Sequence, residues 1–239
     1  MKLDILVLSV HPDDAELGCS GTILKHIALG HKVGIVDLTR GELGTRGSAE
    51  IREQEATAAA GILGVAVRDN LGIPDGFFQN TKEYQLKVIG AIRKYRPKII
   101  ITNAYHDRHP DHGRANELVE ASAFLSGLRK IETFNDGEVQ EAWRPDLVLH
   151  FIQDRYIKPD ILIDITEYWD KKIESIYAYG SQFFNPEWSD EPQTYISTPE
   201  FINVVAARAS EFGKSIGAKY AEGFTSRKIL GVDDLFALK

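Results

Sequence analysis

The feature that most constrains this sequence is a repeated order of segments, in which a short apolar run is followed by a polar turn and then a helical pattern. Residues 3–10 form the first apolar run, comparable runs occur at residues 32–38 and 99–103, and residues 67–71 are predicted to form a short further strand. Short runs rich in branched apolar side chains that alternate with helices are typical of strands in a parallel sheet. The sequence therefore predicts an α/β fold.

The helical patterns place helices between these strands, at residues 15–29, 48–63, 81–95 and 113–126. Gly18 and Gly21 weaken the first helix, and we expect them to allow its close approach to the first strand. After residue 129 the order is less regular, with strands predicted at 147–152 and 161–165 and helices at 167–179 and 201–216. Residues 181–199 are rich in aromatic residues, proline and acids, which suits either a pocket wall or an oligomer contact. Because no internal repeat or linker is visible, residues 1–239 are predicted to form one domain.

Composition narrows the class of protein. The chain has 35 acidic and 28 basic side chains, so its net charge of −7 disfavours an extended nucleic-acid surface. Cys19 is the single cysteine, which excludes an internal disulfide and a cysteine-rich zinc site and suits a reducing cytoplasm. No apolar run approaches the roughly 20 residues that span a bilayer, and Asp4 interrupts the amino-terminal run, which therefore differs from a signal peptide. We expect a soluble cytoplasmic protein that does not bind membranes.

The first apolar run ends in His11-Pro12-Asp13-Asp14, at a predicted turn from strand to helix. In an open α/β sheet such turns lie at the carboxyl ends of the strands, where ligands bind. An imidazole and two adjacent carboxylates compete there for solvation unless a cation lies among them. The sequence therefore predicts a divalent metal ion at this edge of the sheet.

A second polar turn, containing His109-Pro110-Asp111-His112, follows the run at residues 99–103. Catalytic zinc is usually held by three protein nitrogen or oxygen ligands, and we predict that His11, Asp14 and His112 supply them. Asp13 then lies beside the ion as general base for a water molecule.

His109 and Asp111 are predicted to act together. His109 is free to face the reacting carbonyl and, if protonated, to stabilise the oxyanion. Asp111 is expected to hydrogen-bond the His109 imidazole, favouring its charged form and fixing its orientation.

Each motif alone also has a purely structural explanation, since His-Pro often forms a turn and Asp13 or Asp14 can cap a helix. Their joint occurrence at two strand ends favours a catalytic role over a structural one. A remote alternative is a non-catalytic nucleotide-binding module that uses Asp37 as its ribose-binding acid. The first turn lacks the glycines of that motif, and its carboxylates would repel a pyrophosphate.

The two motifs, with Gly18 and Gly21, resemble the signatures of the LmbE/PIG-L-like zinc-dependent N-deacetylases, which remove acetyl groups from N-acetylglucosamine derivatives. Within that family the sequence most resembles the bacillithiol biosynthesis deacetylases, which act on N-acetylglucosaminyl-malate; the similarity includes residues 48–53, 107–109, 181–183 and 220–224. The resemblance implies a Rossmann-like three-layer α/β/α fold with a mostly parallel sheet. It also implies hydrolysis of a linear amide, zinc as cofactor and a protonated His109. The predicted ligand set accepts ferrous iron as well as zinc.

The resemblance further implies that Arg52 and Arg108 contact the acidic end of the substrate, with Arg144 as an additional candidate. Related alternatives are a thiol-sugar conjugate amidase and another N-acetylglucosamine or chitooligosaccharide deacetylase. A homo-oligomer is expected from the family. The sequence departs from the mycothiol branch at Asp107, where that branch has a tyrosine that assists the carbonyl. Oxyanion stabilisation is therefore expected from His109 and the metal.

Overall fold

The computed structural model describes residues 1–188 and 190–238, which contain nine strands and six α-helices. The strands are β1 (Ile5–Ser9), β2 (Val33–Asp37), β3 (Val67–Asn70), β4 (Ile99–Asn103), β5 (Phe134–Asn135), β6 (Glu138–Val139), β7 (Leu147–Phe151), β8 (Ile161–Asp164) and β9 (Ala221–Thr225). The helices are α1 (Asp14–Ala28), α2 (Ala49–Leu63), α3 (Lys82–Tyr95), α4 (Pro110–Leu125), α5 (Trp169–Tyr177) and α6 (Phe201–Ser215).

Seven strands form one sheet in the order β3-β2-β1-β4-β7-β9-β8, while β5 and β6 form a separate hairpin. The first five strands in that order run parallel, and β9 lies antiparallel between β7 and β8. The chain builds outward from β1 to β3 and then crosses to β4 on the other side of β1. The connections after β1 and β4 therefore diverge and leave a crevice at the carboxyl edge of the sheet. The predicted α/β fold with a mostly parallel sheet is confirmed.

The core lies on both faces of this sheet, because successive side chains of a strand point to opposite sides. Leu8 of β1 belongs to a buried cluster with Val88 of α3 and Leu118 of α4. Val7 belongs to the cluster on the other face, with Ile23 of α1. Helix α5 packs on α1 and α2, and α6 packs on β8 and β9. The result is the three-layer arrangement of helix, sheet and helix.

Three features differ from the sequence predictions. Helix α4 begins at Pro110 rather than at residue 113, which places Asp111 and His112 in its first turn. Proline suits this position because its missing N–H has no partner in the first turn of a helix. The pattern predicts neither β9 nor the β5–β6 hairpin. Glu222 and Gly223 interrupt the apolar character of β9, although all five of its residues are buried.

The two glycines of α1 allow a close approach, but not to β1 as expected. A Cβ atom on Gly18 would lie 2.2 Å from the ring of Phe151, and one on Gly21 would lie 2.7 Å from Ile165. Helix α1 therefore rests directly on the side chain of Phe151 at the end of β7 and on Ile165 just after β8.

The helices within residues 1–188 and 190–238 include none with the length and apolar character that a membrane span requires.

Candidate active site

The turn after β1 carries three of the predicted site residues. Strand β1 ends at Ser9, His11 follows in the turn, and Asp14 is the first residue of α1. Asp13 precedes the helix with φ of 113° and ψ of −27°, in the left-handed region that side chains other than glycine rarely adopt. Such backbone strain is retained mainly where the surrounding structure fixes it, often at functional sites.

The turn after β4 carries the other predicted residues of the centre. His109 precedes α4, and its Nδ1 accepts a hydrogen bond of 3.3 Å from the backbone N–H of Asp111. His112 lies in the first turn of α4 and is buried. Since β1 and β4 are neighbours in the sheet, both turns meet at one edge.

The three predicted metal ligands meet around the carboxylate of Asp14. His11 Nδ1 lies 3.5 Å from Asp14 Oδ2, and His112 Nε2 lies 3.2 Å from Asp14 Oδ1. Asn103 Nδ2 also donates to Asp14 Oδ2 at 3.1 Å, and Gln153 Nε2 donates to Asp14 Oδ1 at 2.8 Å. The carboxylate is therefore held in a fixed orientation between two imidazoles.

The other nitrogen of each imidazole contacts a second carboxylate. His11 Nε2 lies 2.9 Å from Asp75 Oδ1, and His112 Nδ1 lies 2.7 Å from Asp107 Oδ2. A carboxylate on one ring nitrogen fixes the ring and its tautomer, and it is the usual partner of a metal-binding histidine. Asp107, which stands where a related branch has tyrosine, thus orients His112.

Two groups of side chains among the described residues have ligand atoms close enough for one ion. The first is His11, His109 and His112, and the second is His11, Asp75 and Asp111, with all ligand atoms of each group within 4.8 Å of one another. The predicted set of His11, Asp14 and His112 is not one of these groups, because its ligand atoms lie farther apart. Imidazole nitrogens and carboxylate oxygens suit zinc, and ferrous iron accepts the same donors. The chemistry of the donors around His11 therefore fits the metal that the sequence predicts.

The carboxylate of Asp111 does not contact His109 as predicted. It accepts hydrogen bonds from the Gly76 N–H at 2.9 Å and from Arg114 Nη1 at 2.6 Å, and it lies 3.6 Å from His11 Nε2. The prediction was wrong because Asp111 lies inside the first turn of α4, where its side chain points towards the loop after β3. Its backbone N–H, rather than its carboxylate, makes the hydrogen bond with His109.

The pKa values of the two adjacent acids move in opposite directions. Burial raises the pKa of Asp13 to about 7, although the Arg52 guanidinium opposes this shift. Burial also acts to raise the pKa of Asp14, but the charge of His112 and the hydrogen bond with His11 hold it well below its usual range. One carboxylate is therefore tuned for proton transfer near neutral pH, and its neighbour stays ionised.

The pKa values of the His112 and His109 imidazoles also move in opposite directions. Burial lowers the pKa of His112, but Asp14 and Asp107 outweigh it and raise the pKa to about 9. For His109, burial lowers the pKa below the ordinary value and the nearby His11 and His112 lower it further. Burial thus favours a neutral His109, in contrast to the protonated ring that the resemblance implies.

The three arginines predicted to bind substrate have different positions. Arg52 is buried in the first turn of α2, and its Nη2 donates to Asp13 Oδ2 at 3.3 Å and to Gln182 Oε1. Arg108 lies at the rim, where its side chain is half-exposed and its Nε donates to Asp154 Oδ2 at 3.3 Å. Both side chains line the cleft above His11 and Asp14.

Arg144 lies outside this site. It comes just before β7, hence at the amino end of a parallel strand, and the site lies at the carboxyl ends. Its guanidinium covers the ring of Phe124 at 4.3 Å and donates to the Phe124 carbonyl at 2.8 Å. The prediction for Arg144 was therefore wrong.

The aromatic segment 181–199 contributes a wall of the cleft as far as it is described, with residue 189 outside the described residues. Ile196 lines the cleft, and the Arg108 guanidinium lies 4.9 Å from the centre of the Tyr195 ring. A second, more apolar cavity adjoins the cleft along α6 and shares Arg108 and Ile196 with it.

Asp75 and Gln153 are among the residues of the site that sequence reasoning missed. Asp75 lies in the loop after β3 and contacts His11, and Gln153 lies two residues after β7 and contacts Asp14. Both follow parallel strands, so their positions at the carboxyl edge were a usable signal. The acid required by the nucleotide-binding alternative, Asp37, is instead paired with Arg68 at 2.9 Å and accepts a hydrogen bond from Ser9 at 2.8 Å.

Comparison with known proteins gives a consistent result. Residues 6–123 match the family model described as "PIG-L: GlcNAc-PI de-N-acetylase". The solved structure of the conserved protein TT1542 from Thermus thermophilus is 36% identical, with a TM-score of 0.85 over 96% of this chain and 97% of that chain. Diacetylchitobiose deacetylase of Thermococcus kodakarensis is 29% identical over 230 residues, which cover 92% of this chain and 81% of the relative.

A further relative is the probable N-acetyl-alpha-D-glucosaminyl L-malate deacetylase 2 of Bacillus anthracis. It is 27% identical over 192 residues, which cover 75% of this chain and 81% of the relative. The family match spans the turns after both β1 and β4, and TT1542 has the same fold over nearly its whole length. The chain belongs to the PIG-L/LmbE family of deacetylases.

Proposed function

We propose that this protein is a metal-dependent hydrolase that removes the acetyl group from an N-acetylglucosamine derivative. The observation that carries the proposal is the arrangement of two imidazoles and one ionised carboxylate, His11, His112 and Asp14, with Asp13 beside them. The membership of a deacetylase family supports the same reaction class.

We assign His11, Asp14 and His112 as the metal ligands. Asp75 engages His11 Nε2, which leaves Nδ1 for the ion, and Asp107 engages His112 Nδ1, which leaves Nε2. Both remaining nitrogens are those closest to Asp14. Zinc is the proposed metal, and ferrous iron suits the same donors. A bound dication would polarise the acyl carbonyl and make an adjacent water more acidic.

Asp13 is the proposed general base and general acid. Hydrolysis forms a carbon–oxygen bond from water and breaks the carbon–nitrogen bond, so one proton must leave the water and one must reach the departing amine. A carboxylate whose pKa is about 7 accepts the first proton and returns it to the amine nitrogen with little loss in either step. The products are acetate and a free glucosamine amine.

His109 is the proposed hydrogen-bond donor to the carbonyl oxygen. Because its Nδ1 accepts from the Asp111 N–H, the proton of the neutral ring resides on Nε2. A neutral His109 can therefore stabilise the developing oxyanion, and the protonated ring implied by the resemblance is unnecessary.

The finer proposal concerns the rest of the substrate, for which we favour N-acetylglucosaminyl-malate. Arg108 lies at the rim with a half-exposed guanidinium, which suits a carboxylate on the aglycone. The name of the Bacillus anthracis relative supports this substrate, whereas that of the Thermococcus relative supports a chitooligosaccharide. A thiol-sugar conjugate amidase would use the same metal ligands.

The decisive experiment combines metal analysis of the purified protein with amine release from N-acetylglucosaminyl-malate, N-acetylglucosamine and diacetylchitobiose. We expect about one bound zinc or iron per chain and the highest kcat/KM for the malate derivative. Faster amine release from diacetylchitobiose would indicate that the substrate is an oligosaccharide. A metal-loaded protein that releases no amine from any of the three would contradict the proposal.

A further inference from the structure

Gln153 has an incomplete set of hydrogen bonds at the edge of the proposed active site. Its Nε2 donates to Asp14 Oδ1 at 2.8 Å. Its Oε1 is buried and accepts no hydrogen bond from any residue within 1–188 and 190–238. Most buried polar atoms in proteins have a partner, so this oxygen is free to accept a hydrogen bond from a bound ligand.

The orientation of the Gln153 amide is fixed by its neighbour. The Asp14 carboxylate acts as a hydrogen-bond acceptor, because its Oδ2 accepts from the backbone N–H of His11 at 3.0 Å and from Asn103 Nδ2 at 3.1 Å. Rotating the amide by 180° would bring two acceptor oxygens together. Oε1 is therefore held as an acceptor on the side away from Asp14.

Gln153 also lines the space in which a substrate would bind. It lines the polar cleft that contains His11 and Asp13, and it lines the adjoining apolar cavity, whose wall includes Phe201 and Val205 of α6. A group bound in either cavity meets this side chain.

We propose that Gln153 Oε1 accepts a hydrogen bond from the amide N–H of the substrate, and so selects secondary amides over esters. This inference rests on the proposed function. The reacting carbonyl must lie next to the ligands of the ion, and Gln153 contacts one of these ligands, Asp14. The amide nitrogen is bonded directly to the carbonyl carbon, so its N–H is the substrate donor closest to the reacting carbon. After the carbon–nitrogen bond breaks, the same oxygen can accept from the product amine.

The test measures binding of two matched ligands, N-acetylglucosamine and 2-O-acetylglucose, which differ in the presence of the N–H. Binding is measured by calorimetry in the zinc-loaded Asp13→Asn variant, which lacks the proposed base. Adding Gln153→Leu should weaken binding of the amide about 5- to 10-fold more than binding of the ester, as expected for one neutral hydrogen bond. The variant also loses the hydrogen bond between Gln153 and Asp14, which should affect both ligands equally. Zinc content, measured in parallel, shows whether that loss disturbs the metal site.

Gln140→Leu is the matched control. Gln140 also has a buried, unpaired Oε1, and its Nε2 donates to the Gly90 carbonyl at 3.0 Å, near α3 and away from the cleft. This variant should leave the ratio of amide to ester binding unchanged. If Gln153→Leu weakens both ligands equally or weakens neither, the inference is wrong while acetate release by the unaltered enzyme still supports the proposed function. If the unaltered enzyme releases no acetate, both are wrong.

Discussion

Two buried groups of charged side chains each include one acid from the first turn of α1, and they differ in how their charges are balanced. The Arg68 cluster consists of Arg68, Glu16 and Asp37. Arg68 Nε and Nη2 donate to the two oxygens of Asp37 at 2.9 and 3.1 Å, and its Nη1 donates to Glu16. Its acids thus share a permanent cation supplied by the chain itself.

The second group, the Asp14 cluster, consists of Asp14, Asp75, Asp107, His11 and His112. Within residues 1–188 and 190–238, the ion pairs of these three acids are made with the two imidazoles alone. An imidazole carries its charge only when protonated, so a bound dication can take over that charge. The acids of the Arg68 cluster are thus balanced by a fixed charge, whereas those of the Asp14 cluster are balanced by exchangeable protons that a metal can replace.

The largest expected effect is on stability and comes from the Arg68 cluster. Arg68→Met leaves two buried carboxylates without their cation, and we expect a loss of about 3–5 kcal/mol in the free energy of unfolding. Activity per folded, metal-loaded molecule should remain. Denaturant unfolding and kcat measured on the same sample check both statements. Arg40→Met, which removes an exposed arginine paired with Glu50 and Glu53, is the control and should have a far smaller effect.

The next effect is on catalysis and comes from the residue beside the Asp14 cluster. Asp13→Asn should lower kcat at least ~10²-fold, the usual range for a general acid or base, while metal content stays the same. Asparagine is preferred to alanine because it tolerates the left-handed backbone found at this position. Normal turnover by a metal-loaded variant would show that another group takes the proton.

A smaller effect is expected on zinc affinity, which should change gradually with pH. The pKa values of His112, about 9, and of His11 are raised above the ordinary value because Asp14 and the other carboxylates outweigh burial. Each ring must lose a proton to bind a metal, so zinc affinity should rise with pH between about 6 and 8, by up to about tenfold per unit for each proton released. Competition with a chelator measures this slope. A flat profile would contradict the assignment of these rings as ligands.

The metal-free protein should show the opposite trend in stability. A folded-state pKa above the unfolded value contributes stability that is complete below about pH 6.5. For His112 that contribution disappears as pH rises through about 9. The thermal midpoint of the metal-free form should therefore fall over this interval, and zinc should remove the contribution of His112 to the decline. If the thermal midpoint falls equally with pH in the presence and absence of zinc, His112 is not a ligand of the metal.

The smallest expected effect is on specificity at the rim. Arg108→Ala should lower kcat/KM for the malate derivative at least about tenfold more than for N-acetylglucosamine, because hydrogen bonds to charged groups are the stronger ones. Arg144→Ala is the control, since Arg144 contacts Phe124 and lies outside the site. Equal losses on both substrates with Arg108→Ala would remove the argument for an acidic aglycone.

The parallel half of the fold and the two histidine turns could be predicted because β1 and β4, which precede these turns, are largely apolar runs. Strand β9 could not, because Glu222 within it is paired with Lys172 of α5 at 2.9 Å, a contact that only the folded chain supplies. The contact of Asp75 with His11 could not be predicted for a related reason. Asp75 lies between Pro74 and Gly76, where an acid is an ordinary turn residue, and its contact with His11 depends on the order of the strands.

The errors at Asp111 and Arg144 have separate physical causes. The side chain of Asp111 turned away from His109 because α4 begins three residues earlier than the apolar spacing indicates. Arg144 was assigned by charge alone, although a residue just before a parallel strand lies at the edge opposite the ligand crevice. The assignment of Arg144 did not consider whether the residue precedes or follows its strand.

The conformation of Asp13 has an evolutionary consequence. A residue with φ of 113° folds at lower energetic cost as glycine, which has no Cβ, than as aspartate. Glycine, however, supplies no carboxylate for proton transfer. Selection for heat resistance alone would therefore favour replacement of this residue, and selection for turnover would oppose it.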